Sequence, residues 1–150
     1  MRYSALTLIG GLTLACTASS QVEWNELPLA DGVFREYSTE YRTDVIDIPL
    51  EPFGELEYKL GLEEGAAITY RWEAVDLEDP ELLYAEFHGH TEPVNGVGDL
   101  MFYRQAYGTN ESGMLVAPFT GIHGWYLRNE GDAPIVVRLH VAGFYELLPQ

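Results

Sequence analysis

The sequence predicts an all-β domain, an antiparallel β-sandwich or jelly roll, placed after an N-terminal signal segment. Three observations carry that prediction. Apolar residues recur with a period of two through most of the chain, as in strands with one buried face. Turn-forming residues separate these segments at intervals of roughly 8–15 residues, the rhythm of a sandwich. Val, Ile, Tyr and Trp dominate the later segments, which suits a pleated, half-buried surface. No sequence repeat and no coiled-coil pattern competes with this reading.

The elements follow in order along residues 33–150. In TDVIDIPL, Ile46, Ile48 and Leu50 share one face. In GELEYKLGL, Leu56, Tyr58, Leu60 and Leu62 oppose Glu55, Glu57 and Lys59. AAITYRWEAV sets Ile68, Tyr70, Trp72 and Ala74 against Thr69, Arg71 and Glu73, and LLYAEFHGH sets Leu83, Ala85 and Phe87 against Tyr84, Glu86 and His88. DLMFYRQAYG suits a short helix or a strand. SGMLVAPF, GIHGWYLRN and APIVVRLHVAGFYEL read as strands, and NEGDAP between the last two predicts a hairpin turn. The final segment is long for one strand, and Gly143 marks a bend or bulge in it.

Composition limits the partners. The chain has 150 residues, enough for one domain with a sizeable core, and a formal charge of −16 from 24 acidic and 8 basic residues. Lys59 is the only lysine. Such a surface repels phosphate backbones, which excludes nucleic acid as a partner, and repels an anionic bilayer unless an anchor holds it there. The charge serves solubility; an acidic partner-binding face is the other reading.

Residues 1–15, MRYSALTLIGGLTLA, have the layout of a bacterial secretory signal: Arg2, then an apolar run, then small residues. The run is about half of the ~20 residues that span a bilayer, and Gly10 and Gly11 weaken it as a helix. Leu12-Thr13-Leu14-Ala15-Cys16 resembles a lipobox, in which the cysteine becomes the lipidated first residue. Thr13 stands where leucine is usual. A second route is ordinary cleavage after Ala18, and an uncleaved anchor or an inert buried cysteine are further alternatives. Residues 16–32 then hold the lipidation site and a polar tether broken by Pro28 and Gly32. Cys16 is the sole cysteine, so the domain has no internal disulfide and rests on core packing. Thr17, not aspartate, follows Cys16, which by resemblance to lipoprotein sorting favours the outer membrane.

YRTDVIDIPL, GLEEGAAITYRWEA, LLYAEFHGH, APFTGIHGWYLRN and VVRLHVAGFYEL, in that order, resemble the small bacterial envelope proteins called transmembrane anchor proteins. The likeness runs from Tyr41 to Leu147, with Ala117 to Asn129 its most distinctive part. It implies a compact β domain behind a membrane segment and no assigned activity; in this chain a lipobox-like signal replaces the spanning helix. The GWY…N…VxL…G pattern is also similar, at the level of fold, to the GOLD-type β-sandwich.

The histidines offer the most chemistry. Glu86, His88 and His90 alternate on one strand face, and imidazoles at i and i+2 project in parallel toward a shared ion, with Glu92 two residues on. Zinc or copper needs three or four such ligands, at about 2.0–2.1 Å for Zn–N, and His123 is the candidate third imidazole. The bland alternatives are that His88 and His90 occupy a solvated face with Gly89 at a strand end, and that His123 is a core histidine bonded to backbone. Parity separates them: if Phe87 faces the core, His88 and His90 face away, while His123, with the parity of Trp125 and Leu127, faces in. Cupins are jelly rolls with an HxH motif, but their glutamate follows the second histidine by four or five residues, whereas Glu92 follows His90 by two.

His140 alternates with Arg138 on an outward face. Trp72, Trp125, Tyr126, Phe144 and Tyr145 suit either an aromatic ligand platform or the core and rim of a sandwich. Ser19, Ser20, Ser38 and Ser112 lie in polar stretches without a G-x-S-x-G elbow, and no P-loop, GxGxxG or CxxC is present. The sequence thus points to a non-catalytic binding or accessory module of the bacterial envelope, lipid-anchored at Cys16 and facing the periplasm. Its expected partner is an envelope protein, met by the surface of Trp125, Tyr126 and Asn129. The alternative is a periplasmic zinc or copper protein using His88, His90, His123 and Glu86.

Overall fold

The computed structural model describes residues 23–150. The chain divides into two units, Met1–Arg35 and Glu36–Gln150, and the predicted signal, Cys16 and Thr17 lie outside the described residues. In the first unit, Val33 N donates to Ala30 O across a turn at Asp31–Val33. No helix among the described residues is long and apolar enough to cross a membrane.

The second unit is built from strands β1 (Tyr41–Leu50), β2 (Glu55–Leu62), β3 (Ala67–Val75), β4 (Leu83–His90), β5 (Leu100–Tyr107), β6 (Asn110–Val116), β7 (Gly121–Asn129), β8 (Ile135–Phe144) and β9 (Glu146–Leu147). A single 3-10 turn, Pro80–Leu82, precedes β4; Asp79 caps it by accepting from Glu81 N. The strands form two antiparallel sheets, ordered β1-β8-β3-β6 and β5-β4-β7-β2-β9. The pairs β1–β8, β2–β7, β3–β6 and β4–β5 nest inside one another, so the chain is one long hairpin rolled into two layers. That is a jelly roll, and the predicted all-β sandwich holds.

The alternating residues supply the core. Ile48, Leu50, Leu60, Leu62, Ile68, Trp72, Phe87, Trp125, Leu127 and Leu139 are buried between the sheets. Phe87 and Trp125 stack at 4.5 Å, with Tyr70 edge-on at 5.0 Å to each, so aromatic rings bridge the layers. DLMFYRQAYG is a strand, β5, and carries a bulge against β4: Phe87 opposes Arg104 but His88 opposes Phe102, leaving Tyr103 unpaired.

The NEGDAP turn does not make a hairpin. β7 and β8 belong to different sheets, and the turn is an arch between layers. Asn129 shapes it: its Nδ2 donates to Glu51 O (3.0 Å) and Ala133 O (2.7 Å), while its Oδ1 accepts from Gly131 N (2.9 Å). Gly143 does mark a bend. Its φ is 149°, a Cβ there would lie 2.2 Å from Ala67 O, and beyond Tyr145 the chain switches sheets to pair β9 with β2. Tyr145 is buried at that crossing and its hydroxyl donates to Asp44.

Candidate metal centre

β4 keeps its alternation through LYAEFHGH. Phe87 and Gly89 face the core, while Glu86, His88 and His90 face outward on the five-stranded sheet. Register places three cross-strand rows on that outer face. Gln105, Glu86, Tyr126 and Glu57 form one; Phe102, His88, Gly124 and Lys59 the next; Leu100, His90, Ile122 and Gly61 the third. Residues in register share a face and touch their neighbours.

Gly124 creates the opening. Any side chain there would collide with β2, since a Cβ would lie 1.9 Å from Tyr58 O. The middle of the central row is therefore bare backbone, and His88 on β4 reaches over it toward β2. His88 Nε2 lies 3.1 Å from Glu57 Oε1, and His90 Nε2 lies 3.8 Å from the same oxygen. One donor atom from each of Glu57, His88 and His90 lies within 4.8 Å of the others. Tetrahedral zinc with bonds near 2.0–2.1 Å holds its donors roughly 3.3 Å apart, so the three atoms stand within a few tenths of an ångström to about 1.5 Å of such a set.

The far side of the His90 imidazole is held as a metal-binding imidazole needs to be, and that of His88 faces a carboxylate. His90 Nδ1 sits 3.1 Å from Thr91 O, which only accepts, so in the neutral ring Nδ1 carries the proton and Nε2 keeps its lone pair. His88 Nδ1 faces Glu86 Oε1 at 3.3 Å, an ion-pair distance out of line for a hydrogen bond. Glu86 is fixed in turn by Tyr84 Oη (3.2 Å) and Gln105 Nε2 (2.9 Å). Lys59 Nζ stands 4.0 Å from Glu57 Oε2. His88 is 7 % exposed, whereas the His90 and Glu57 side chains are 28 % and 31 % exposed, so the cluster opens to solvent on their side.

His123 does not join them. It is fully buried on the inner face, where Tyr103 Oη donates to its Nδ1 (2.8 Å) and its Nε2 donates to Phe119 O (3.1 Å). Burial depresses its pKa below the ordinary histidine value; the Phe119 carbonyl opposes that shift and the charges of His90 and His88 add to it. Burial also pushes the Tyr103 hydroxyl up to about 12, which keeps it a donor. Gly89 is no strand end. A Cβ there would lie 2.3 Å from Tyr103 Oη and 2.4 Å from His123 Nδ1, so its missing side chain makes room for this inner pair.

The other predicted surface residues divide. Trp125 and Asn129 are each 1 % exposed and serve the core and the arch, so neither is offered to a partner. Tyr126 is half-buried on the outer face and its hydroxyl donates to Glu55. Trp72 and Tyr145 are buried in the core as well. Glu57 and Lys59 cannot be linked to His88 from local sequence, because β2 neighbours β4 only through β7; their outward parity in GELEYKLGL is the one signal the sequence carries.

No family model matches this chain, and no curated protein matches it. Among solved structures it is similar to a de novo designed double-stranded β-helix determined by solution NMR, at 19% identity and a TM-score of 0.34 over 65% of this chain and 97% of that one.

Proposed function

We propose that this chain is a membrane-tethered, non-catalytic module of the bacterial envelope whose jelly roll binds a zinc or copper ion through Glu57, His88 and His90. One observation carries the reading: three donors from two strands that are not neighbours meet above the bare backbone of Gly124. Two imidazoles and a carboxylate suit borderline metals such as Zn²⁺ and Cu²⁺ rather than Ca²⁺ or Mg²⁺. The Thr91 carbonyl orients the His90 ring in the manner of an outer-shell partner, and Glu86 lies 3.3 Å behind His88 Nδ1. A strongly acidic chain also concentrates cations around it.

Metal titration of the purified chain tests the metal half. One equivalent of Zn²⁺ or Cu²⁺ is expected to bind, and His88→Ala, His90→Ala or Glu57→Ala to abolish it; indifference to both metals would overturn the reading. The tether rests on Cys16 and is tested separately by palmitate labelling, which should vanish in Cys16→Ser.

A further inference from the structure

We infer that the metal centre, given the reading above, takes an exchangeable carboxylate with an apolar body as its remaining ligand. The three protein donors all rise from one sheet face, so they occupy one side of the ion. Glu86 cannot complete the set, because it stands behind the His88 ring, at Nδ1, while Nε2 points to Glu57. The ion's outward side is therefore left to a ligand from solution, reached past His90 and Glu57.

Charge selects an anion there. A divalent ion with Glu57, Glu86 and Lys59 leaves one net positive charge, which one carboxylate cancels. Lys59, the chain's only lysine, stands on this face two strands from His88 with nothing but Gly124 between them. Its ammonium, 4.0 Å from Glu57 Oε2, is placed to pair with an incoming oxygen as well as with Glu57.

The opposite flank is apolar. Phe102 stands beside His88 with ring centroids 6.1 Å apart, and Leu100 stands beside His90. They remain 49 % and 55 % exposed on the free edge strand β5. A carboxylate on the ion would have Lys59 as its charge partner on one flank, while an apolar body carried over the His88 ring would meet Phe102 and Leu100 on the other. Acetate has the first feature only, and benzoate has both.

The test uses the full chain loaded with Co²⁺, whose visible absorption reports changes in coordination. Benzoate is expected to shift the spectrum saturably and to bind about tenfold more tightly than acetate, the factor that burying part of an aromatic ring supplies. Phe102→Ser should erase that preference, and Lys59→Gln should weaken both acids severalfold while leaving Co²⁺ bound at least as tightly. A Co²⁺ spectrum that ignores both acids would overturn this inference and leave the metal reading standing, as would equal affinity for the two acids. Failure to take up Co²⁺ at all would overturn both.

Discussion

Gly89 and His123 are packed back to back: a methyl group at position 89 would lie 2.4 Å from His123 Nδ1. The backbone of β4 thus divides two histidine environments, with His88 and His90 on the outer face and His123 buried on the inner one beside half-buried Tyr103. Gly89→Ala must displace that inner pair. Overpacking combined with a lost buried hydrogen bond costs about 2–4 kcal/mol, and urea unfolding of the metal-free protein should read a loss in that range.

His123 also sets a direction for acid sensitivity. Its pKa is lowered in the folded state, so the unfolded chain binds the proton more readily. Stability is then complete above the ordinary histidine pKa of about 6.5 and falls as pH drops from there toward the depressed folded value, by up to about 1.4 kcal/mol per pH unit. Tyr103 and the Phe119 carbonyl are the polar groups that face the ring, and neither carries charge in this range. In metal-free protein the stability of His123→Gln, measured from pH 8 to 5, should fall less steeply below 6.5 than that of wild type. Parallel curves would contradict the burial argument.

Most strands could be read from the sequence because each keeps its own alternation, as GELEYKLGL and AAITYRWEAV do. β5 could not, and its bulge is the reason: opposite Phe87 and His88 the chain inserts Tyr103, and the period of two is broken there. NEGDAP correctly announced a reversal, but turn chemistry does not say which sheet receives the returning strand, and Asn129 builds an arch instead. The site was half legible. The outward parity of His88 and His90 follows from Phe87, but their convergence with Glu57 depends on the non-local order β4-β7-β2, which no short stretch encodes.

In the proposed centre Glu86 would stand behind the ion rather than on it. Its Oε1 faces His88 Nδ1 at 3.3 Å, and Tyr84 and Gln105 hold it there. Replacing such an outer-shell carboxylate costs roughly 10–100-fold in metal affinity. Glu86→Gln should therefore weaken Zn²⁺ by that factor in competition with a chromophoric chelator, without changing the stoichiometry. His123→Gln should leave affinity unaltered, since His123 lies on the other face.

Metal binding should also stabilise the fold, because Glu57 on β2 and the two histidines on β4 would be clipped together across β7. At one hundred times its Kd, a ligand that binds only the folded state adds about 2.7 kcal/mol, a rise in Tm on the order of 10 °C for a domain of this size. EDTA should reverse it. Glu57→Gln separates this linkage from ordinary packing, since its amide oxygen still accepts from His88 Nε2 where Glu57 Oε1 now lies 3.1 Å away. The variant should keep the metal-free Tm and lose most of the metal-dependent rise. A variant that melts early without metal would assign Glu57 a structural role instead, and one that keeps the full rise would remove it from the ligand set.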